Sequence, residues 1–130
     1  MGLDQYARFL TEEEEVDRRN DPDNQEYVEE DFYWRKHRLL QAWMENLYRS
    51  KGGEGEFNCV DVELDIFDIN ALERDIEEAD LPDEHGFFWG NEDPSEYHSE
   101  NSYYEKDKQF VEAAKSALAE GKRVIYSSWW

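Results

Sequence analysis

The sequence predicts an α+β fold, in which a small, mainly antiparallel sheet of three to four strands has about three helices packed on it. Alternating apolar and polar residues indicate strands near both ends and in the middle of the chain, and segments with helical spacing separate them. Aromatic residues make up 15% of the 130 residues, which is enough for one hydrophobic core. We therefore expect a single domain over residues 1–130.

The first half of the chain is expected to form a strand, an acidic loop and a helix. Residues 2–10 favour a short strand over an irregular lead-in. Residues 11–31 hold eleven acidic side chains against two arginines, which favours a solvated loop or insert. From about Glu30 to Arg49, apolar side chains recur at spacings of three, four and seven, which predicts a helix. Gly52 and Gly53 are then expected to end that helix.

The second half is expected to alternate strands and helices. Val60, Val62 and Leu64 alternate with acidic residues, which predicts a strand with one acidic face. Asp68 is expected to be the N-cap of the next helix, and Gly121 suits the position just after the last helix. The predicted strands and helices, with one short aromatic strand or loop, span about residues 57–66, 68–79, 86–90, 103–120 and 123–130.

The strongest signal in the composition is charge, since 34 acidic residues against 14 basic ones give a net charge of −20 at pH 7. Residues 61–100 alone hold fifteen acidic side chains and a single arginine, Arg74. Direct binding to nucleic acid or to an anionic membrane is not expected, because both need positive charge on the protein. A basic protein is the class of partner that such a surface favours.

The sequence predicts a cytoplasmic protein. The opening residues lack the basic stretch and the apolar stretch of a secretory signal, and no apolar run approaches the length of a membrane-spanning helix. Cys59 is the one cysteine, so no disulfide within the chain is expected, and this usage is typical of a reducing compartment.

The usual catalytic and cofactor signatures are missing from the sequence. It has no glycine-rich phosphate loop, no HExxH or CxxC pattern and no nucleophile elbow, so we expect neither a cofactor nor a metal site. His98 beside Glu96 and Glu100 is better explained as part of a polar loop. An enzyme that uses Cys59 or His37 is one hypothesis for function.

The acidic residues lead to the first hypothesis for function. Carboxylates fixed on helices and strands would present a negative field comparable to that of duplex DNA, so the chain would occupy a basic nucleic-acid groove on another protein. The alternative is that the charge serves only solubility or adaptation to high salt. The candidate contacts are Glu12, Glu13, Glu14, Glu15, Asp61, Glu63, Asp65, Asp75, Glu77 and Glu78.

Unusual aromatic strings occur from one end of the chain to the other. They are Met1-Gly2-Leu3-Asp4-x-Tyr6, Tyr33-Trp34-Arg35-Lys36, Gly86-Phe87-Phe88-Trp89-Gly90 and Tyr126-Ser127-Ser128-Trp129, with Trp43 and Asn58-Cys59 between them. In these motifs the chain resembles a family of small phage and prophage proteins, sometimes labelled phosphoglycerate kinase. A chain this short, without a phosphate loop, does not support that activity.

The resemblance implies a phage accessory protein that acts in the cytoplasm of a bacterial host. Small acidic phage proteins are often inhibitors of host nucleic-acid enzymes or of defence systems, which is an analogy at the level of the family. The expected partner is therefore a basic host protein: a nuclease, a CRISPR effector, a restriction enzyme or a polymerase.

The same motifs lead to a second hypothesis, a protein that binds a small molecule or nucleotide, such as a defence signal. Its pocket would combine aromatic, polar and cationic side chains, which suit an anionic ligand with a π-face. The alternative is that Trp34 packs on a neighbouring loop while nearby basic residues pair with the acidic segments. The candidate pocket residues are Tyr6, Trp34, Lys36, His37, Asn58, Cys59, Trp89 and Tyr126.

Overall fold

The computed structural model describes residues 2–14, 31–82, 94–99 and 102–130 and has strands at both ends of the chain. Four strands form one antiparallel sheet, and three α-helices of at least 12 residues accompany it in these ranges. The elements are β1 (Asp4–Leu10), β2 (Phe32–Arg35), α1 (Arg38–Ser50), β3 (Asp61–Leu64), α2 (Ile66–Glu77), a 3-10 turn (Pro94–Glu96), α3 (Tyr104–Ala119) and β4 (Arg123–Trp129). The predicted α+β fold is confirmed.

The two longest strands lie at the centre of the sheet, whose order is β2-β1-β4-β3. β1 and β4 pair along all 7 residues of each strand. Because side chains alternate between the two faces of a strand, Ala7, Val62 and Tyr126 form a buried row on one face. The opposite face carries partly exposed side chains such as Tyr6 and Arg8, and we term it the open face.

All three helices pack on the buried face of the sheet. Each helix contributes an apolar stripe, and the stripes meet the inward side chains of the strands in one cluster. The rings of Trp34 and Phe110 lie 5.2 Å apart in an edge-to-face arrangement within it. The buried apolar residues from the helices are Leu39, Leu40, Trp43, Met44, Ile69, Leu72, Ile76, Phe110, Val111, Ala114 and Ala117. No helix in the described ranges is long and apolar enough to cross a bilayer.

The predicted start of the first long helix is wrong. Phe32–Arg35 forms the edge strand β2, and α1 begins only at Arg38. Phe32 and Leu39 are seven positions apart, as on a helix, but the segment also alternates buried and exposed side chains. Pairing with β1 decides between the two conformations, because tertiary contacts override a short local pattern. Lys36, at φ 55°, then turns the chain from the strand towards the helix.

The other elements within the described ranges lie close to their predictions. β3 is shorter than expected at 4 residues, and Asp65 rather than Asp68 is the N-cap of α2. α3 and β4 end within one residue of the predicted bounds. Gly52 and Gly121 follow helix ends with φ of 91° and 83°, which glycine adopts readily. The predicted strand or loop at 86–90 and most of the acidic segment lie outside the described residues.

Candidate functional site

The acidic side chains of β3 and α2 form the surface on which the first functional hypothesis depends. Residues 61–80 hold nine acidic side chains and one basic one, Arg74. Asp61 and Glu63 lie on the open face of the sheet, and the others follow on α2 and around its two ends. This set, termed the acidic face, consists of Asp61, Glu63, Asp65, Asp68, Glu73, Asp75, Glu77, Glu78 and Asp80.

Part of the acidic face is neutralised by basic side chains, one of them Arg74 on α2 itself and the others from elsewhere in the chain. The ion pairs are Lys51–Asp68 (2.7 Å), Lys115–Glu73 (2.6 Å), Arg123–Glu63 (3.5 Å) and Arg74–Asp75 (3.7 Å). The hydrogen bond to Glu73 raises the pKa of the Lys115 ammonium, which keeps that pair charged. In contrast, Glu77, Glu78 and Asp80 make no ion pair with any described residue.

Carboxylates are crowded at the C-terminal end of α2. One oxygen from each of Asp75, Glu78 and Asp80 lies within 4.8 Å of the others, and Glu77 is on the same last turn. The negative end of the helix dipole is also here, so it adds to the repulsion between the carboxylates. Among the described residues, Asp75, Glu78 and Asp80 are the acidic group close enough to share a cation. We term Asp75, Glu77, Glu78 and Asp80 the acidic corner.

Two of the predicted contact residues also stabilise the fold. The Asp65 carboxylate accepts a hydrogen bond from the backbone N–H of Asp68 (2.9 Å), and Asp68 accepts one from the N–H of Asp65 (3.0 Å), which is a capping box. The hydrogen bond from the Asp68 N–H lowers the pKa of the Asp65 carboxyl. Asp75 accepts a hydrogen bond from the indole of Trp43 at 2.9 Å. Asp65 and Asp75 are thus already engaged within the chain.

Glu12, Glu13 and Glu14 follow β1 at the same end of the sheet at which α2 begins. Leu10 pairs with Arg123, and Leu64 pairs with the next residue of β4, so both strand ends lie at one end of the sheet. Glu12, Glu13 and Glu14 are exposed there, and Glu15 lies outside the described residues. The acidic corner lies at the other end of α2, about 18 Å away for a helix of 12 residues.

A second candidate site is buried where β2, α1 and α3 meet. Asp107 on α3 is 1% exposed and accepts hydrogen bonds from the indole of Trp34 (3.0 Å) and the hydroxyl of Tyr97. Its carboxylate also lies 2.6 Å from Nε2 of His37, a fully buried side chain. The imidazole ring packs against Tyr97 and Tyr103. A buried carboxylate requires such partners, because burial without them is strongly unfavourable. Trp34, His37, Tyr97 and Asp107 are termed the Asp107 cluster.

A chain of buried hydrogen bonds adjoins the Asp107 cluster. The Tyr126 hydroxyl accepts from Nε2 of Gln5 (2.9 Å) and donates to Oε1 of Gln41 (2.5 Å). Gln41 in turn donates to Oγ of Ser128 at 2.9 Å. Gln5 also donates to the carbonyl of His37 (3.0 Å) and accepts from its backbone N–H (2.8 Å), which joins the two networks. Burial raises the pKa of Tyr126 above its usual value, so its hydroxyl stays neutral.

The structure brings three of the predicted pocket residues together in the core. Trp34, His37 and Tyr126 are each fully buried, and Asp107 and Gln5 connect them by hydrogen bonds. Their polar atoms are therefore bonded to other side chains and to backbone of the same chain. The alternative to a ligand pocket had Trp34 pack on a neighbouring loop, whereas its ring packs against Phe110 of α3.

The remaining predicted pocket residues lie elsewhere. Tyr6 is on the open face, where Arg8 lies 5.5 Å from the centre of its ring. Lys36 is exposed beyond β2, and Trp89 lies outside the described residues. Asn58 and Cys59 lie just before β3.

Asn58 holds the residue that follows β4. Its side-chain amide donates to the carbonyl of Trp130 and accepts from the backbone N–H of Trp130, both at 3.0 Å. Cys59 is exposed, with φ 59°, and its backbone N–H donates to the carbonyl of Ser128 at 2.8 Å. Cys59 falls within the strand predicted over residues 57–66, but the strand begins only at Asp61.

Sequence reasoning missed Asp107, Gln5 and Tyr97. A signal for Asp107 was present, because it lies three and four residues before Phe110 and Val111 on the apolar stripe of α3. An acidic residue at such a position requires buried hydrogen-bond partners. No pattern in the sequence connects Tyr97 to β2 or α1, since their contact depends on the tertiary structure.

Comparison with protein families, with characterised proteins and with solved structures found no significant match to this chain. The described residues form an α+β fold with a polar network in its core and a face of crowded carboxylates, of which Glu77, Glu78 and Asp80 make no ion pair with another described residue.

Proposed function

We propose that this chain is a non-enzymatic binding protein whose acidic face occupies a basic surface of a protein partner, in the place of nucleic acid. The observation that carries the proposal is the acidic corner, where Asp75, Glu78 and Asp80 approach one another within 4.8 Å. Glu77, Glu78 and Asp80 are exposed and make no ion pair with described residues. A partner's cations would supply the compensation that the described part of the chain does not.

The position of these carboxylates distinguishes binding from solubility. Net charge keeps a protein soluble wherever on the surface it lies, so solubility alone gives no reason to crowd acids together. At the C-terminal end of α2 the acids oppose both the helix dipole and one another, which lowers the stability of the fold. Binding a basic surface would turn this local repulsion into attraction between the partners.

The size of the acidic face supports a partner that binds nucleic acid. α2 is 12 residues long, which corresponds to about 18 Å. Duplex DNA carries about one charge per 1.7 Å of axis, so a groove built for DNA presents many cations over such a length. Together with the resemblance to small phage proteins, this favours an inhibitor of a bacterial nuclease, CRISPR effector, restriction enzyme or polymerase.

The nucleotide-binding hypothesis stays a prediction. Trp34, His37 and Tyr126 are fully buried, so a ligand would reach them only after the surrounding core contacts opened. Calorimetry against a panel of nucleotides tests it directly. Heat of binding that disappears in a Trp34→Phe variant would favour the pocket over the acidic face.

Capture from a bacterial lysate tests the proposed function. The immobilised protein is washed with rising salt, and the proteins that elute are identified by mass spectrometry. Two variants serve as further baits. The corner variant combines Glu77→Gln, Glu78→Gln and Asp80→Asn, and the matched variant combines Glu54→Gln, Glu56→Gln and Glu96→Gln, which are exposed acids outside the acidic face.

The expected result is a basic nucleic-acid enzyme that the native chain and the matched variant retain at low salt. It should elute as salt rises, since ions screen exposed charges, and it should be absent from the corner variant. Equal retention by the corner variant, or elution that does not depend on salt, would contradict the proposal.

A further inference from the structure

A groove runs between α2 and α3, next to the acidic corner. It encloses about 430 Å³, within the roughly 300–1,000 Å³ usual for binding sites. Ile76 and Val111 line its deepest part and are 1% and 2% exposed. The other lining residues are polar: Glu73, Glu77, Glu105, Lys108, Gln109 and Glu112. The groove thus combines an apolar floor with predominantly acidic walls.

Two lysines compensate part of the charge of the groove. Lys115 lies 2.6 Å from Glu73 near one end, and its pKa is raised by the hydrogen bond to Glu73 and by the charges of Glu112 and Glu77. At the other end Lys108 lies 3.3 Å from Glu105, and its ammonium is 4.6 Å from the centre of the Tyr104 ring. Each of the two lysines thus forms its ion pair with a glutamate near one end of the groove, Lys115 with Glu73 and Lys108 with Glu105.

The groove as a whole keeps a negative charge, because four glutamates line it and two lysines, Lys108 and Lys115, oppose them. Glu77 and Glu112 come from opposite walls, and neither forms an ion pair within the part of the chain that the structure describes. Ile76 and Val111 lie next to these glutamates in the sequence and form the apolar floor. A ligand that fits must offer both an apolar stem and a positive charge.

We infer that this groove binds an arginine or lysine side chain from a segment of the basic partner. The alkyl stem would cover Ile76 and Val111, and the cationic head would lie between Glu77 and Glu112. A purely apolar side chain would leave the two carboxylates uncompensated, and an anionic group would be repelled. The inference rests on the proposed function, because it names the contact through which the partner would be recognised.

A short synthetic peptide of arginine, leucine and alanine serves as the probe. Its control is the same peptide with citrulline, a neutral analogue, in place of each arginine. Methyl resonances of Ile76 and Val111 are followed by NMR during titration of the protein. The arginine peptide is expected to shift these resonances, and the citrulline peptide is expected to leave them unchanged.

Two pairs of substitutions separate the groove from general attraction to an acidic protein. Glu77→Gln with Glu112→Gln should weaken peptide binding about tenfold, which corresponds to about 1.4 kcal/mol. Glu54→Gln with Glu56→Gln removes the same charge outside the groove and should change the affinity less than about twofold. Equal weakening by both pairs, or shifts spread over the surface without Ile76 and Val111, would overturn the inference.

Failure of the groove and failure of the proposed function give different results. Capture of a basic enzyme that needs the acidic corner but is unaffected by Glu112→Gln would remove the groove and leave the proposed function in place. Peptide binding at Ile76 and Val111 without any salt-sensitive capture would contradict the proposed function and leave a cation-binding groove.

Discussion

The Asp107 cluster and the acidic corner place carboxylates in opposite surroundings. Asp107 is 1% exposed, bonds to the side chains of Trp34 and Tyr97, and lies beside the imidazole of His37. Glu78 and Asp80 are exposed, and a carboxylate oxygen of each lies within 4.8 Å of the other and of Asp75. The same chemical group therefore stabilises the fold in one region and opposes it in the other. We interpret the second region as a surface for recognition.

Removing the buried carboxylate should have the largest effect. Asp107→Ala leaves the indole of Trp34 and the hydroxyl of Tyr97 without their acceptor and His37 without its carboxylate. We expect a loss of about 3–5 kcal/mol in the free energy of unfolding, as for other broken buried pairs. Urea denaturation followed by tryptophan fluorescence measures it.

Glu105→Ala on the same helix is the control for this prediction. Its side chain is 74% exposed, so we expect a change below about 0.5 kcal/mol. Asp107→Asn keeps one acceptor oxygen, so its loss in the free energy of unfolding should lie between those of the two alanine variants. If Asp107→Ala costs no more stability than Glu105→Ala, the Asp107 cluster does not hold the core together.

Tyr126→Phe should have the next largest effect. It leaves the Gln41 carbonyl oxygen and an N–H of Gln5 unpaired in the core, which costs about 1–3 kcal/mol. Because burial raises the pKa of Tyr126 above 10.0, the hydroxyl stays neutral in the folded chain while the unfolded chain ionises. The stability from this group is thus present below about pH 10 and lost as the pH rises beyond it.

The pH dependence gives Tyr126→Phe a second measurement. Unfolding free energies between about pH 8 and pH 11 should fall less steeply for the variant than for the native chain, since phenylalanine has no proton to lose. Parallel curves would show that Tyr126 ionises equally in both states.

Asp65→Ala should lower stability by about 1 kcal/mol, because α2 loses its N-cap and the capping box. Since the pKa of Asp65 is lowered from 3.8, its contribution is present above about pH 4 and is lost as the pH falls below it. The gap between native chain and variant in urea denaturation should therefore close in acid. Asp65→Asn, which retains a capping oxygen, should keep most of the stability.

Neutralising the acidic corner should have the smallest effect on stability and the opposite sign. Glu77→Gln with Glu78→Gln removes two negative charges from the end of α2 and should raise stability by about 0.3–1 kcal/mol at low salt. The gain should shrink at high salt, because salt screens exposed charges. Thermal unfolding at two salt concentrations measures it, with Glu54→Gln and Glu56→Gln as control. Destabilisation by the corner pair would mean that these acids support the fold.

The sequence predicted the elements that local patterns determine. The last helix and the last strand follow from the apolar stripe around Phe110 and from the alternation in β4, and both lie within one residue of their predicted ends. β2 was missed because its conformation depends on pairing with β1, a strand that precedes it by more than twenty residues. A segment as short as Phe32–Arg35 fits a helical or a strand pattern equally well.

The same distinction applies to the candidate sites. The acids at the end of α2 could be located from helical spacing, which places Ile76 inward and Glu77 outward. The surroundings of His37 could not be predicted from the sequence, because Asp107 and Tyr97 come from segments about seventy and sixty residues further along the chain. Their contact requires the packing of α3 against β2 and α1.

Competition with DNA tests most directly whether the acidic face serves recognition. A labelled duplex is bound to the captured enzyme, and its release is followed by fluorescence anisotropy as the native chain, the corner variant or the matched variant is added. We predict that the native chain and the matched variant displace the duplex, that displacement weakens as salt rises, and that the corner variant fails. Displacement by the corner variant equal to that of the native chain would contradict the proposal that these carboxylates bind the partner.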